Sequence, residues 1–483
     1  MSELEADVVV VGTGAGGATV ARALARKGLD VLMLEEGPDL RHRPTEPTTR
    51  DAMLARFRDF GAQLATARTQ IPLIQGRMVG GSTAINSAIF WRLPEAIYAE
   101  WTKADPALEA ALPYRAIAEA TDEIEREITV RPVEPGVMGN NNRLLERGAQ
   151  ALGLAGNVIR RAESGCEGSG RCVLGCPNRR RQGMEHSYVP QALGFGARLL
   201  ADTRALRVEW NGRRATGLAV ERDGRRQQVV ARKGVVLAAG AVHTPWLLLQ
   251  SGLRGQAGAR FTAHPGFSVA GLFDAPVGQL SGATQGYEVT GLKAHGLKFE
   301  ALGLPPAITT ARLPGAGPAF KRVADRLEQL GSWGCLVRPE GYGKIGRSVF
   351  GGPKISLSLS DADYARMLIG VKQLVALFFA AGAREVLPGV AGAPQIITSA
   401  EQLDGLTRLQ PEQLSLVATH LFGGAVLGTD ASRAVVDPRF AVFGAEGLFV
   451  ADASVLPGTL GVNPQGTIMA VARVAADRIA EAL

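Results

Sequence analysis

The first 35 residues carry the feature that most restricts the fold. Residues 6–11 (ADVVVV) are apolar and mostly β-branched, as suits a strand buried on both faces of a parallel sheet. They run directly into Gly12-Thr13-Gly14-Ala15-Gly16-Gly17, then a helical pattern over residues 18–25. Asp30-Val31-Leu32-Met33-Leu34 follows as a second strand, ending at Glu35, 18 residues past Gly17. Strand, glycine turn, helix, strand and acid in this order form a dinucleotide-binding unit. Gly12 permits the tight turn, Gly14 lets backbone approach a pyrophosphate, and Gly17 lets helix and strand pack closely. Ala15 and Gly16 open the helix, whose N-terminus offers free N–H groups and a positive dipole end to phosphates. Glu35, with Glu36 beside it, can accept ribose hydroxyls, and an acid here argues against a 2′-phosphate. These residues alone do not separate FAD from NAD.

Three later stretches bear on that question. The first is Gly76-Arg77-Met78-Val79-Gly80-Gly81-Ser82-Thr83-Ala84-Ile85-Asn86-Ser87. The second is Gly234-Val235-Val236-Leu237-Ala238-Ala239-Gly240-Ala241, continuing His243-Thr244-Pro245 to Gly252. The third is Gly447-Leu448-Phe449-Val450-Ala451-Asp452, with Ala453 next, and then Gly461-Val462-Asn463-Pro464-Gln465-Gly466-Thr467 and an alanine-rich helical pattern to Leu483. In this order they resemble the glucose–methanol–choline (GMC) oxidoreductases.

The resemblance implies FAD. The paired glycines Gly80 and Gly81 would let backbone amides lie against the flavin edge, where a side chain would collide. Arg77 and Ser82 belong to the same loop, and Asn86 would hydrogen-bond near the ring. Ala239 and Gly240 end a buried strand beside the cofactor, with a helix beginning near Pro245. Ala205, on the strand before it, would pass the adenine. Asp452 is the implied ribityl or pyrophosphate contact. Pro464 stands at an expected first helical position, and the positive end of that helix would face the flavin. Some family members tether FAD through a histidine in the flavin loop. Ile85 fills the position before Asn86 here, so the expectation is non-covalent FAD.

Of six histidines, only His420, in Ala418-Thr419-His420-Leu421-Phe422-Gly423-Gly424, falls at the family's active-site position. A neutral imidazole suits removal of a hydroxyl proton as hydride leaves the carbinol carbon. The partner position holds Asn463, whose amide can donate to the reacting oxygen. His264 also matches a family position, with a structural role expected.

Cys166, Cys172 and Cys176 read C-x5-C-x3-C-P, and three readings stay open. One is a structural turn, as in the similar stretch of long-chain alcohol oxidases. Another is an iron–sulfur cluster, as in electron-transferring sugar dehydrogenases. The third is a zinc site with His186 as the fourth ligand. The turn is favoured and a resident metal is not expected.

The formal net charge of +7 is scattered, and the densest group, Arg179-Arg180-Arg181, reads as solvated surface, so no nucleic-acid partner is expected. The N-terminus lacks the pattern of a secretory signal, and no apolar run is long enough for a transmembrane segment. With four cysteines, the expected location is the cytoplasm.

The expected architecture is α/β: a Rossmann-like FAD-binding domain from segments 1–92, 195–265 and 415–483. A discontinuous antiparallel-sheet substrate domain takes 93–194 and 266–414. Within the latter, residues 354–359 alternate as a strand, 368–381 read as a helix, and 303–317 as a loop at the cavity rim. The implied activity is FAD-dependent oxidation of an alcohol, with a lean to a hydrophobic one, and with O2 or an external acceptor reoxidising the flavin. A cluster-bearing sugar dehydrogenase and a non-redox hydroxynitrile lyase are the alternatives.

Overall fold

A computed structural model of the chain describes residues 4–313, 315–349 and 351–483. The expected signal-free N-terminus thus lies partly outside the described residues, at 1–3, as does Pro314 of the rim loop.

Two sheets carry the fold. The first has seven strands, beginning Arg198–Leu200, Val31–Leu34, Glu5–Val11, Arg225–Leu237, Arg214–Arg222, Thr203–Asn211, with Leu448–Val450 also paired to Arg225–Leu237. Arg214–Arg222 is antiparallel to both its neighbours, Arg225–Leu237 and Thr203–Asn211, and the sheet's other pairings are parallel. All four side chains of Val31–Leu34 are buried, as are Val8 to Val11, which explains their unbroken apolar runs. The helix Ala15–Arg26 packs against the C-terminal helix Gln465–Ala482, and Tyr114–Glu127 packs on the latter too, with Glu127 paired to Arg22 of the first (2.6 Å).

The second sheet has eleven strands and is predominantly antiparallel, running from Lys344–Arg347 at one edge to Gly156–Val158 at the other. Gln63–Thr66, Gln70–Leu73 and Val417–Phe422 belong to it. Those residues were expected with the cofactor-binding segments, so the sheets divide the chain differently from the segment boundaries read from sequence. The helix Asp361–Ala380 covers this sheet, with Phe378 stacked on Trp333 at 3.7 Å between ring centroids.

Several elements differ from expectation for reasons of distant contact. The helix expected near Pro245 begins at Gly240, with Pro245 inside it. Its leading amides are satisfied by side chains, Gly240 N donating to Asp452 Oδ2 (2.7 Å) and Ala239 N to Thr244 Oγ1 (2.8 Å). The strand expected over 354–359 runs Pro353–Ser356, after which Leu357 N donates to Thr66 O instead. The helix expected from 368 begins at Asp361, where Ser360 and Asp363 form a capping box. Pro464 is the residue before the final helix rather than its first. The rim loop contains the helix Pro306–Arg312.

The glycine turn is fixed by backbone contact. A Cβ on Gly17 would stand 2.0 Å from Gly12 O, and one on Gly16 would stand 2.0 Å from Ala451 O. A Cβ on Gly14 would meet nothing within 4 Å. Gly17→Ala is therefore expected to destabilise the cofactor-free protein by about 3 kcal/mol in denaturant unfolding. Gly14→Val should leave that stability nearly unchanged yet lose the cofactor. Equal unfolding midpoints for wild type and Gly17→Ala would contradict this packing.

Candidate functional site

A cavity of about 1490 Å³ extends from the glycine turn, along the ends of the first sheet, to His420 and Asn463. Gly12, Gly14, Ala15 and Gly16 line one end together with Glu35 and Glu36. Ala205, Ala239, Gly240, Asp452 and Ala453 line the same stretch. Gly81, Ser82, Asn86 and Pro464 line its middle, and His420 and Asn463 its other end. Four expected residues stand behind this surface. Gly17 packs under the turn, Gly80 is buried, Thr467 is buried, and Arg77 is exposed with its Nε 3.5 Å from Glu36 Oε1.

Several side chains expected to face a cofactor also hold the protein's own loops. Glu35 accepts from Thr13 N (3.2 Å), Thr13 Oγ1 (2.7 Å) and Gly37 N (3.0 Å). Burial nevertheless raises its pKa. Thr13 Oγ1 in turn accepts from Gly80 N (2.9 Å), tying the glycine turn to the loop 80–87. Asn86 Nδ2 donates to Gln465 Oε1 (2.6 Å), joining that loop to the start of the last helix. Asp452 accepts from Gly240 N, Thr244 Oγ1 (2.6 Å) and Ser454 N (2.7 Å), and burial raises its pKa.

The residues fit FAD. The helix Ala15–Arg26 starts at the cavity wall with no side-chain cap, leaving its leading amides for phosphate oxygens. The open space at Gly14 is where a pyrophosphate would approach the backbone. His243, on the same wall, has a buried Nδ1 without a partner.

Sequence reasoning missed how the loop 80–87 is braced. Arg181, read from sequence as solvated surface, is buried and donates to the carbonyls of Thr83 and Ala84 (2.6 Å) and to Glu185 (2.7 Å). Arg161 is also buried and donates to Ser87 O (2.9 Å) and to Cys172 Sγ (3.2 Å). Burial opposes a Cys172 thiolate, but Arg161, Thr284 and Arg181 together outweigh it and lower the thiol pKa. The two arginines that flank the cysteine-rich stretch thus brace the loop 80–87. Cys166, Cys172 and Cys176 are free thiols around one small pocket, and among the described residues no group of three or more His, Cys, Asp or Glu is placed to hold a metal.

At the other end, His420 Nε2 lies 3.5 Å from Asn463 Nδ2, and His420 Nδ1 lies 3.3 Å from His264 Nδ1. His264, expected to be only structural, therefore touches the pair. Gly461 N donates to His264 Nε2 (3.0 Å), which leaves the His264 proton on Nδ1, aimed at His420. The Asn463 contact favours a lone pair on His420 Nε2, and the His264 contact favours one on Nδ1. A neutral ring can satisfy one of them, and an imidazolium neither. Burial and the nearby Lys298, against Glu300, bring the His420 pKa down to about 4.

Asn463 is oriented by a group that sequence reasoning missed entirely. Lys298 Nζ, fully buried, donates to Asn463 Oδ1 (2.6 Å), Glu300 Oε1 (2.5 Å) and Glu288 Oε2 (2.6 Å). This turns the Asn463 amide N–H2 toward His420. Burial raises the Glu288 pKa, whereas for Glu300 burial is outweighed by Lys298, His420 and Asn463 together, which lower it. Lys298 and Glu300 alternate with apolar residues on the strand Leu297–Ala301, a pattern that reads as a solvent face. All five residues are in fact buried.

Among the described residues, no helix is long and apolar enough to cross a membrane. A dinucleotide turn, a second glycine loop tied to it and a His–Asn pair across one cavity define a nucleotide-cofactor oxidoreductase. The chain belongs to the GMC oxidoreductase family: its N-terminal description matches residues 6–266 and its C-terminal one residues 347–472. An uncharacterized GMC-type oxidoreductase of Mycobacterium tuberculosis is 39% identical, covering 99% of this chain and 76% of that relative. A long-chain-alcohol oxidase of Arabidopsis thaliana is 26% identical, covering 99% of this chain and 67% of that relative. The formate oxidase of Aspergillus oryzae, described with its FAD, has the same fold, with a TM-score of 0.78 at 18% identity over 100% of this chain and 99% of that one.

Lys298→Met is expected to cost about 3–5 kcal/mol, because it strands buried carboxylates. Adding Glu288→Gln and Glu300→Gln should recover part of the loss in denaturant unfolding. An unchanged midpoint for Lys298→Met would contradict a charged, paired Lys298.

Proposed function

We propose that the protein oxidises a hydrophobic alcohol to an aldehyde or ketone using non-covalently bound FAD. The observation that carries this reading is the His420–Asn463 pair closing a cavity whose far end is the dinucleotide turn. FAD supplies the hydride acceptor. Asn463, held by Lys298, donates its amide proton toward the substrate oxygen and orients the carbinol. His420, held neutral, accepts the hydroxyl proton at Nε2 in the tautomer that Asn463 favours. A base with so low a pKa suffices, since the hydroxyl becomes strongly acidic as hydride leaves its carbon.

Phe267, Trp246, Leu302, Leu304, Ile308 and Leu336 give this end apolar walls. The long-chain-alcohol oxidases among the relatives support the same lean. Ile85, at the cavity wall, offers no nucleophile for a covalent flavin bond. O2 and an external acceptor both remain suited to reoxidise the cofactor.

His420→Ala is expected to keep yellow, bound FAD while losing about 10²–10⁴ in kcat with an alcohol. In the wild type, kcat/KM should stay level as pH falls from 7 and drop only near pH 4, where His420 becomes protonated. An acid limb near pH 6.5, or full turnover by His420→Ala, would contradict the assignment. Denaturation should release the flavin into solution.

A further inference from the structure

One wall of the cavity ends on a cation without a counter-ion. Glu300, Leu302, Leu304, Ile308 and Arg312 all line the space. Ile308 and Arg312 are four residues apart on the helix Pro306–Arg312 and so share a face. Glu300, at the start of this run, sits on the Lys298–Asn463 network, already paired. Arg312 Nε is buried with no hydrogen-bond partner, and among the described residues no carboxylate forms an ion pair with this guanidinium. Burial alone lowers its pKa, with no acid acting against it.

The other arginines lining the cavity are placed differently. Arg58 lies 2.6 Å from Glu36, Arg204 3.2 Å from Glu221, and Arg207 3.1 Å from Glu209. Arg226 is exposed to water. A guanidinium stays charged at any working pH, so an unpaired one in an apolar wall is costly until an anion meets it. Its planar fork matches a carboxylate through two parallel hydrogen bonds.

We infer that Arg312 binds the carboxylate of an amphiphilic substrate, an ω-hydroxy carboxylate of the fatty type. The chain of that substrate lies along Leu302, Leu304 and Ile308, and its carbinol reaches His420 and Asn463. The carbinol end rests on the alcohol-oxidising reading above, and the anion end does not.

Two measurements separate the two. Sodium decanoate, which has no carbinol, is titrated calorimetrically into the FAD-loaded protein. Wild type should bind it, Arg312→Met about tenfold or more weaker, and Arg312→Lys in between. Turnover of ω-hydroxydecanoate is then compared with that of decanol. Wild type should favour the hydroxy acid by about tenfold or more in kcat/KM, mainly through KM, and Arg312→Met should lose that preference. Decanoate bound equally by wild type and Arg312→Met, or by neither, would overturn the anion site. Arg312-dependent binding of decanoate without oxidation of any alcohol would instead sustain the site and overturn the alcohol-oxidising reading.

Discussion

Three stretches of backbone far apart in sequence meet at the glycine turn with no room for a side chain. Gly17 packs on Gly12 O, Gly12 on Ala238 O, and Gly16 on Ala451 O. The first helix, the long strand Arg225–Leu237 and the strand Leu448–Val450 are therefore held at backbone distance from one another. Everything at the cofactor end depends on this contact. It sets the amides of Ala15 and its neighbours at the cavity wall, and it brings Asp452 to Gly240 and Thr244. Thr13 then carries the constraint onward by binding Glu35 on one side and Gly80 on the other.

The opposite end depends on charge rather than on close backbone. A buried lysine serves two carboxylates and one amide, and so decides which way Asn463 points. His420 receives donors on both flanks and a nearby cation, all of which oppose its protonation. Burial of such a network is costly when any member is unpaired, so its members are mutually dependent. The same rule makes Arg312 conspicuous, because among the described residues it is the half-buried cation on these walls with no counter-ion.

The legible parts of the fold were those encoded in contiguous residues. The run from Ala6 to Glu35 could be read as strand, turn, helix, strand and acid because each signal is local. Of its residues, Gly12, Gly14, Ala15, Gly16 and Glu35 line one cavity with Gly81, Ser82, Asn86, His420 and Asn463. What was not legible depends on partners distant in sequence. Gly240 begins a helix because Asp452, more than two hundred residues later, caps it. Arg161 and Arg181 look like surface charges until the carbonyls of 83–87 are seen to need donors. Lys298 and Glu300 mimic the alternation of an exposed strand, since period-two patterning cannot distinguish solvent from a buried ionic layer. Arg77 matches its motif position by sequence, but its exposed side chain stands beside the cavity-lining Glu36 rather than on the cavity wall itself.

The central claim is that this cavity delivers a carbinol hydrogen to bound FAD as hydride. It is tested most directly by anaerobic stopped-flow mixing of the FAD-loaded protein with a saturating long-chain alcohol, protiated and then deuterated at the carbinol carbon. The account predicts bleaching of the visible flavin absorption, slower with the deuterated alcohol. Absorption left untouched by every alcohol, or bleaching at one rate for both isotopologues, would contradict it.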